Sequence, residues 1–279
     1  MVEPALDAAS PSFLEAVQAI DAGDAERLKQ LLAANPSLLE ERADTGEEGY
    51  FHHPYLLWFT AGNPIRGNGD VPSNTDEIVR IILAAAERER VDSLQEQLDY
   101  TLMLVSSGCA ARQCGMQHKL IDVLLDAHAD PQTAALPALA HRETAAVRQL
   151  LARGASLTLP VASAIGPLDG CEYERLIAQA DAQERQLALA AAALYGNAPA
   201  LARLLAAGVD LNAYSPASFH AHATALHHAV DSGSLEAVRL LVDAGADVRL
   251  PDRLFGGTPL GWADHMGRLQ IAAFLRSLA

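Results

Sequence analysis

The sequence predicts an all-α fold of stacked helix–turn–helix units, and three observations carry that prediction. Half of the 279 residues are hydrophobic but only 5% are aromatic, a balance that suits closely packed helices with small residues at their contacts. Two segments in the last third share one internal order, and their threonines, Thr224 and Thr258, stand 34 residues apart. Glycines repeat the same interval, 12 residues from Gly196 to Gly208 and 12 from Gly233 to Gly245. Self-similarity at a fixed period marks repeat architectures, in which a unit too small to bury its own apolar face buries it against its neighbours.

Taken in chain order, a first helix pair is predicted between Phe13 and Leu39, with Gly23 at the turn and Asn35-Pro36 after the second helix. The apolar stretch Tyr55–Ala61 predicts the first helix of a second unit, and the stripe Ile78, Ile81, Ile82, Ala85 its second helix. Between them, residues 62–74 are rich in Gly, Pro and Asn and predict an insertion long enough to be functional. A smaller insertion spans Ser107 to Gln117. Leu120–Pro131 and Ala134–Ser156 give two degenerate units, with His128 and Arg142 where a turn glycine is expected, and Val161–Ala178 is the least regular, with Gly166 in its turn.

From Leu187 the pattern is clear, and each part has a physical reason. Thr258 can cap a helix with its hydroxyl, and Pro259 suits the first helical position, where a missing N–H has no intrahelical partner anyway. Leu226 and Ala229 share one face, and Leu235, Val238 and Leu241 give the following helix its own stripe. Gly233 and Gly245 end their helices where a left-handed residue is wanted. Residues 1–279 therefore read as one array, degenerate over 11–186 with the insertion at 62–74, clear over 187–279, and capped by its first and last units.

The segments Thr224-Ala-Leu-His-His-Ala and Gly257-Thr-Pro-Leu-Gly-Trp-Ala, with Leu-Leu-Val-Asp-Ala-Gly-Ala-Asp between them, resemble ankyrin repeats. The 13–39 segment resembles the opening repeat of many bacterial ankyrin proteins. That resemblance implies an ankyrin-repeat solenoid serving as a non-catalytic protein–protein interaction module, which holds its partner on the concave face and the turn tips. By motif position the contacts fall on the two residues before each turn glycine: Leu194 and Tyr195, Asp231 and Ser232, His265 and Met266. They also fall just ahead of each threonine, at His220 and Ala223 and at Leu254 and Phe255. Tyr214, Phe219 and Phe255 stand in otherwise polar loops, where an exposed aromatic is a candidate hot spot.

Charge and motifs narrow the alternatives. Twenty Lys and Arg stand against 35 Asp and Glu, a formal charge of −15, which argues against nucleic acid and anionic membrane as partners. The longest apolar run, Leu187 to Tyr195, has nine residues, short of the ~18 that predict a membrane span. The N-terminus shows no secretory signal. Cys109, Cys114 and Cys171 lack CxxC spacing and predict reduced, mostly buried thiols in a cytoplasmic monomer. Phosphate-loop, dinucleotide, hydrolase-elbow and zinc-helix motifs do not occur, so no cofactor is called for. The rival is a metal-dependent or hydrolytic module using His52 and His53, or His220 and His222, near the 44–76 insertion. Against it, His227 sits at the histidine of the ankyrin motif, where the resemblance implies a structural role.

Overall fold

A computed structural model describes residues 9–44, 51–62, 71–166 and 170–278. The expected insertion at 62–74 falls largely outside the described residues, as does its Gly67-Asn-Gly69 turn. The regular structure among the described residues is all helical apart from two isolated bridges, Arg42 with Tyr55 and Tyr214 with Thr224. It divides into two compact units, Met1–Ala155 and Ser156–Ala279.

In the first unit, α1 (Pro11–Ala22) and α2 (Ala25–Ala34) form the opening pair, followed by a 3-10 helix at Pro36–Leu39. A second 3-10 helix, Leu56–Ala61, precedes α3 (Thr75–Glu89). Then come α4 (Leu94–Ser107), the short α5 (Cys109–Gln113), α6 (Gln117–Asp126), α7 (Pro131–Ala140) and α8 (Thr144–Ala152). The first helices pack in a row, α1 on Leu56–Ala61, that segment on α4, and α4 on α7. The second helices make the parallel row α2, α3, α6, α8. Two layers of antiparallel pairs result, with Phe13, Phe59, Leu102, Leu120 and Leu139 buried between them. The Tyr55–Ala61 stretch, expected as an α-helix, is 3-10 instead. All six residues of that turn are buried, and Thr60 Oγ1 donates back to the Leu57 carbonyl at 2.8 Å, an i to i−3 bond that suits the tighter spiral.

The second unit runs α9 (Leu159–Ile165), α10 (Gly170–Gln179), α11 (Ala182–Leu194), α12 (Ala198–Ala206), α13 (Ala225–Ser232), α14 (Leu235–Asp243), α15 (Pro259–His265) and α16 (Leu269–Arg276). Here α9, α11, α13 and α15 stack as one layer, and α12, α14 and α16 as the other. The nine-residue apolar run lies in α11, where Ala188 to Leu194 are buried. Its run of alanines lets α9 and α13 approach from both sides.

One local device builds the regular pairs. A left-handed glycine ends the first helix, and the next residue caps the second. Gly196 (φ 64°) is followed by Asn197, whose side chain accepts from Ala200 N. Gly233 (φ 78°) is followed by Ser234, which accepts from Ala237 N, and Gly23 by Asp24, which accepts from Arg27 N. Side chains then tie a pair to its neighbour: Asn197 Nδ2 donates to Ser163 O at 2.9 Å, and Arg268 donates to Asp231 O at 2.7 Å.

The α7–α8 pair shows what happens without it. Arg142 takes the glycine position with φ 59°, and His128, after α6, is also left-handed at 70°. Glu143 stands at the cap of α8 but makes no side-chain cap bond. Its carboxylate is drawn to Arg112 of α5 at 2.9 Å, so the small insertion at 107–117 is folded into this repeat as a partner for its cap residue. Gly166, expected in a turn, ends α9 in extended backbone (φ −74°, ψ 155°).

Candidate functional site

The turn ahead of α13 and the turn ahead of α15 lie side by side at one edge of the second unit. Tyr214 and Thr224 bridge to close the first into a hairpin. Tyr214 OH donates to Pro251 O at 2.6 Å, and Arg253 N donates to His222 O at 2.8 Å, which joins the second turn to the first.

Asp252 organises the second turn. It is only 2% exposed. Oδ1 accepts from Leu254 N at 2.9 Å and Phe255 N at 2.7 Å, while Oδ2 accepts from Gly257 N at 2.8 Å and Trp262 Nε1 at 2.9 Å. Asp252 N also donates to Gly257 O at 2.8 Å, so residues 253–256 form a closed loop. Burial works to raise the carboxyl's pKa. The hydrogen bonds from Phe255, Trp262, Leu254 and Gly257 outweigh it and bring the pKa down to about 2. Around this knot the tip projects: Leu254 is 63% and Phe255 79% exposed. Arg253 lies over the Tyr214 ring at 3.8 Å.

Behind the tip, His227 and His228 are hydrogen-bonded within the fold. Thr224 Oγ1 meets His227 Nδ1 at 2.8 Å, and His227 Nε2 meets Gly257 O at 3.0 Å. Because a carbonyl only accepts, Nε2 carries the proton and Nδ1 accepts from Thr224, which makes the ring neutral. Burial lowers its pKa, against the opposing pull of the Gly257 carbonyl and Asp252. His228 Nε2 lies 2.9 Å from Ser215 Oγ. His220 holds a left-handed turn position at φ 50°, and the His222 ring stands 6.5 Å from Phe255 and 6.0 Å from Trp262. In the first unit, His52 and His53 stack edge to face at 3.8 Å, and the His53 carbonyl accepts from Arg42 Nε at 2.6 Å. Among the described residues, no group of three or more His, Cys, Asp or Glu is arranged to hold a metal ion. No helix among them is long and apolar enough to cross a membrane.

The predicted contact residues separate by burial. Leu254, Phe255, His265 and Met266 are exposed; Tyr195, Tyr214, His220, Asp231 and Ser232 are half-buried. Three turned inward. Leu194 faces the α11 core, Ala223 sits beneath the hairpin, and Phe219, expected as an exposed aromatic, is 0% exposed. Phe219 packs its ring edge against His228 at 6.1 Å and so supports the hairpin from within. The cysteine expectation also needs correcting. Cys109 and Cys171 are exposed and Cys114 is half-buried, because Cys109 and Cys171 sit in the first turns of α5 and α10 on the solvent side. Asp252, Arg249 and Trp262 were absent from the sequence-based set. The signal available for Asp252 was Pro-Asp ahead of Gly-Gly, a turn composition that gives an aspartate nearby backbone N–H groups to bind.

Comparison with known proteins adds two findings. A model of a family described as ankyrin repeats, in three copies, matches residues 161–252 and 187–278. The Ankyrin repeat and KH domain-containing protein mask-1 of Caenorhabditis elegans is 29% identical over 214 residues, 71% of this chain. The match covers 8% of that protein's length.

Proposed function

Since residues 161–278 match the ankyrin-repeat family, whose repeats generally serve binding between proteins, we propose that the chain is a non-catalytic recognition module using the 252–257 tip of its second unit. One observation carries the proposal. A buried aspartate that binds three N–H groups of its own loop and Trp262 Nε1 of α15 holds Leu254 and Phe255 out in water. Exposing two large apolar side chains on a fixed loop costs solvation and does nothing for the core, whereas a rigid apolar anchor binds with little ordering entropy to lose. His265 and Met266, exposed at the α15–α16 turn, extend the surface along the same repeat. His227 and His228 are committed to backbone and hydroxyl partners, and the rings of His220 and His222 pack against neighbouring rings, which favours recognition over metal or hydrolytic chemistry.

The test is a variant with Leu254, Phe255, His265 and Met266 all changed to alanine. Its helical circular dichroism should match the unchanged chain, and it should lose partners that the unchanged chain captures from its native cell. Equal capture of every partner by both proteins would remove the site assignment.

A further inference from the structure

The loop that carries Leu254 and Phe255 displays two arginines on an acidic chain. The chain is formally −15, yet Arg249 on the approach and Arg253 at the apex are both exposed. Elsewhere in this unit Arg175, Arg203 and Arg276 lie against Glu172, Glu174 and Asp264, Arg239 lies over the Phe274 ring and Arg268 donates to Asp231 O. Arg249 and Arg253 make no ion pair among the described residues. The nearest acid in sequence, Asp252, cannot serve them, because both its oxygens are taken by the N–H groups of Leu254, Phe255, Gly257 and Trp262. Asp247 is exposed, and its Oδ1 accepts from Arg249 N at 2.8 Å rather than from the guanidinium.

Arg253 is also held in place without a carboxylate. Its guanidinium lies 3.8 Å over the Tyr214 ring, and Tyr214 is anchored in turn through its hydroxyl to Pro251 O. A guanidinium stacked on a ring keeps its N–H edge free for a planar acid, which it can grip with two parallel bonds. The loop therefore joins two features in one rigid frame: a pair of apolar side chains and a pair of uncommitted cations.

We infer that this loop selects a protein segment that presents Asp or Glu carboxylates beside apolar side chains. Leu254 and Phe255 bury the apolar part, and Arg249 and Arg253 take the acids. The inference rests on the proposal that the tip is the partner-binding surface. Opposite charge across the contact would speed encounter and reject basic competitors. A second copy of the chain is the rival occupant, because the outer face of α14 offers Leu235 and Leu240 beside Glu236 and Asp243 around an open hollow.

The experiment selects random dodecapeptides on the full chain and counter-selects on full chain carrying Leu254→Ser and Phe255→Ser. Peptides that need the tip should be rich in Asp and Glu next to apolar residues. Their affinity should fall about tenfold on an Arg249→Ala, Arg253→Ala variant at moderate salt, and that difference should shrink in about 1 M salt. Tip-dependent peptides without acidic enrichment, or indifferent to the two arginines, overturn the inference and leave the tip as the binding surface. A selection that yields no tip-dependent peptide overturns both. Concentration-dependent self-association in sedimentation, abolished by the two serines, assigns the tip to a second copy and also overturns the inference.

Discussion

Replacing Asp252 with alanine should destabilise the second unit by about 2–3 kcal/mol. Two ways of weighing the same hydrogen bonds lead to that figure. The carboxyl's pKa stands at about 2 in the folded chain against 3.8 for the free group, and the difference corresponds to about 2 kcal/mol of preference for the charged form. Counting bonds instead, the change strands Trp262 Nε1, which is half-buried, and frees three backbone N–H groups. Water can reach the exposed N–H groups, so the loss is nearer one charge-assisted bond at ~1.5–3 kcal/mol than four. The assay is urea unfolding followed by circular dichroism and tryptophan fluorescence, in which the midpoint should fall while the slope holds. Asp247→Ala serves as the control. It removes a bond to one exposed turn, Arg249 N, and should shift stability by ~0.5 kcal/mol or less. The pH dependence has a definite sign. A depressed carboxyl contributes its full stability above the unfolded value of 3.8 and loses it as pH falls towards about 2, so the two proteins should converge in that window. A midpoint unchanged within ~0.5 kcal/mol, or a difference that persists at low pH, would refute the assigned role.

Three further outcomes follow from the same structure. His128→Gly should stabilise the first unit by about 0.5–1 kcal/mol in a thermal melt, because the histidine holds φ 70° at a cost glycine does not bear. Phe219→Ala should cost about 3–5 kcal/mol in urea, whereas Phe255→Ala should change stability hardly at all, since one ring is buried and the other 79% exposed. His227 is neutral when folded with a lowered pKa, so the unfolded chain binds more protons below pH ~6.5, and stability should decline there less steeply in a His227→Gln variant.

Local chemistry made the second unit legible. Thr258, Pro259, Gly233 and Gly245 act on backbone within four residues of themselves, and each does what its type dictates: Thr258 Oγ1 accepts from Gly261 N at 3.2 Å, and Gly245 is left-handed at 103°. The departures at His128 and Arg142 were visible as missing glycines, and both keep the left-handed backbone that glycine would have taken. What stayed hidden depends on contacts distant in sequence. Nothing within a few residues of Phe219 shows that its ring edge will meet His228. Nothing in a polar-looking loop shows that Glu143 will abandon its helix for Arg112, 31 residues earlier. Register alone picked out Leu254 and Phe255, but not the aspartate that fixes them, because the family pattern places contact residues rather than their supports.

The most direct measurement places a photoreactive benzoylphenylalanine at position 255 of the full chain in its native cell, with the same probe at Gln270 on the exposed side of α16 as the comparison. A tip that recognises a protein should give discrete cross-linked species on irradiation from position 255 and only background from position 270. Background alone from position 255, or the same species from both positions, would contradict recognition through this loop.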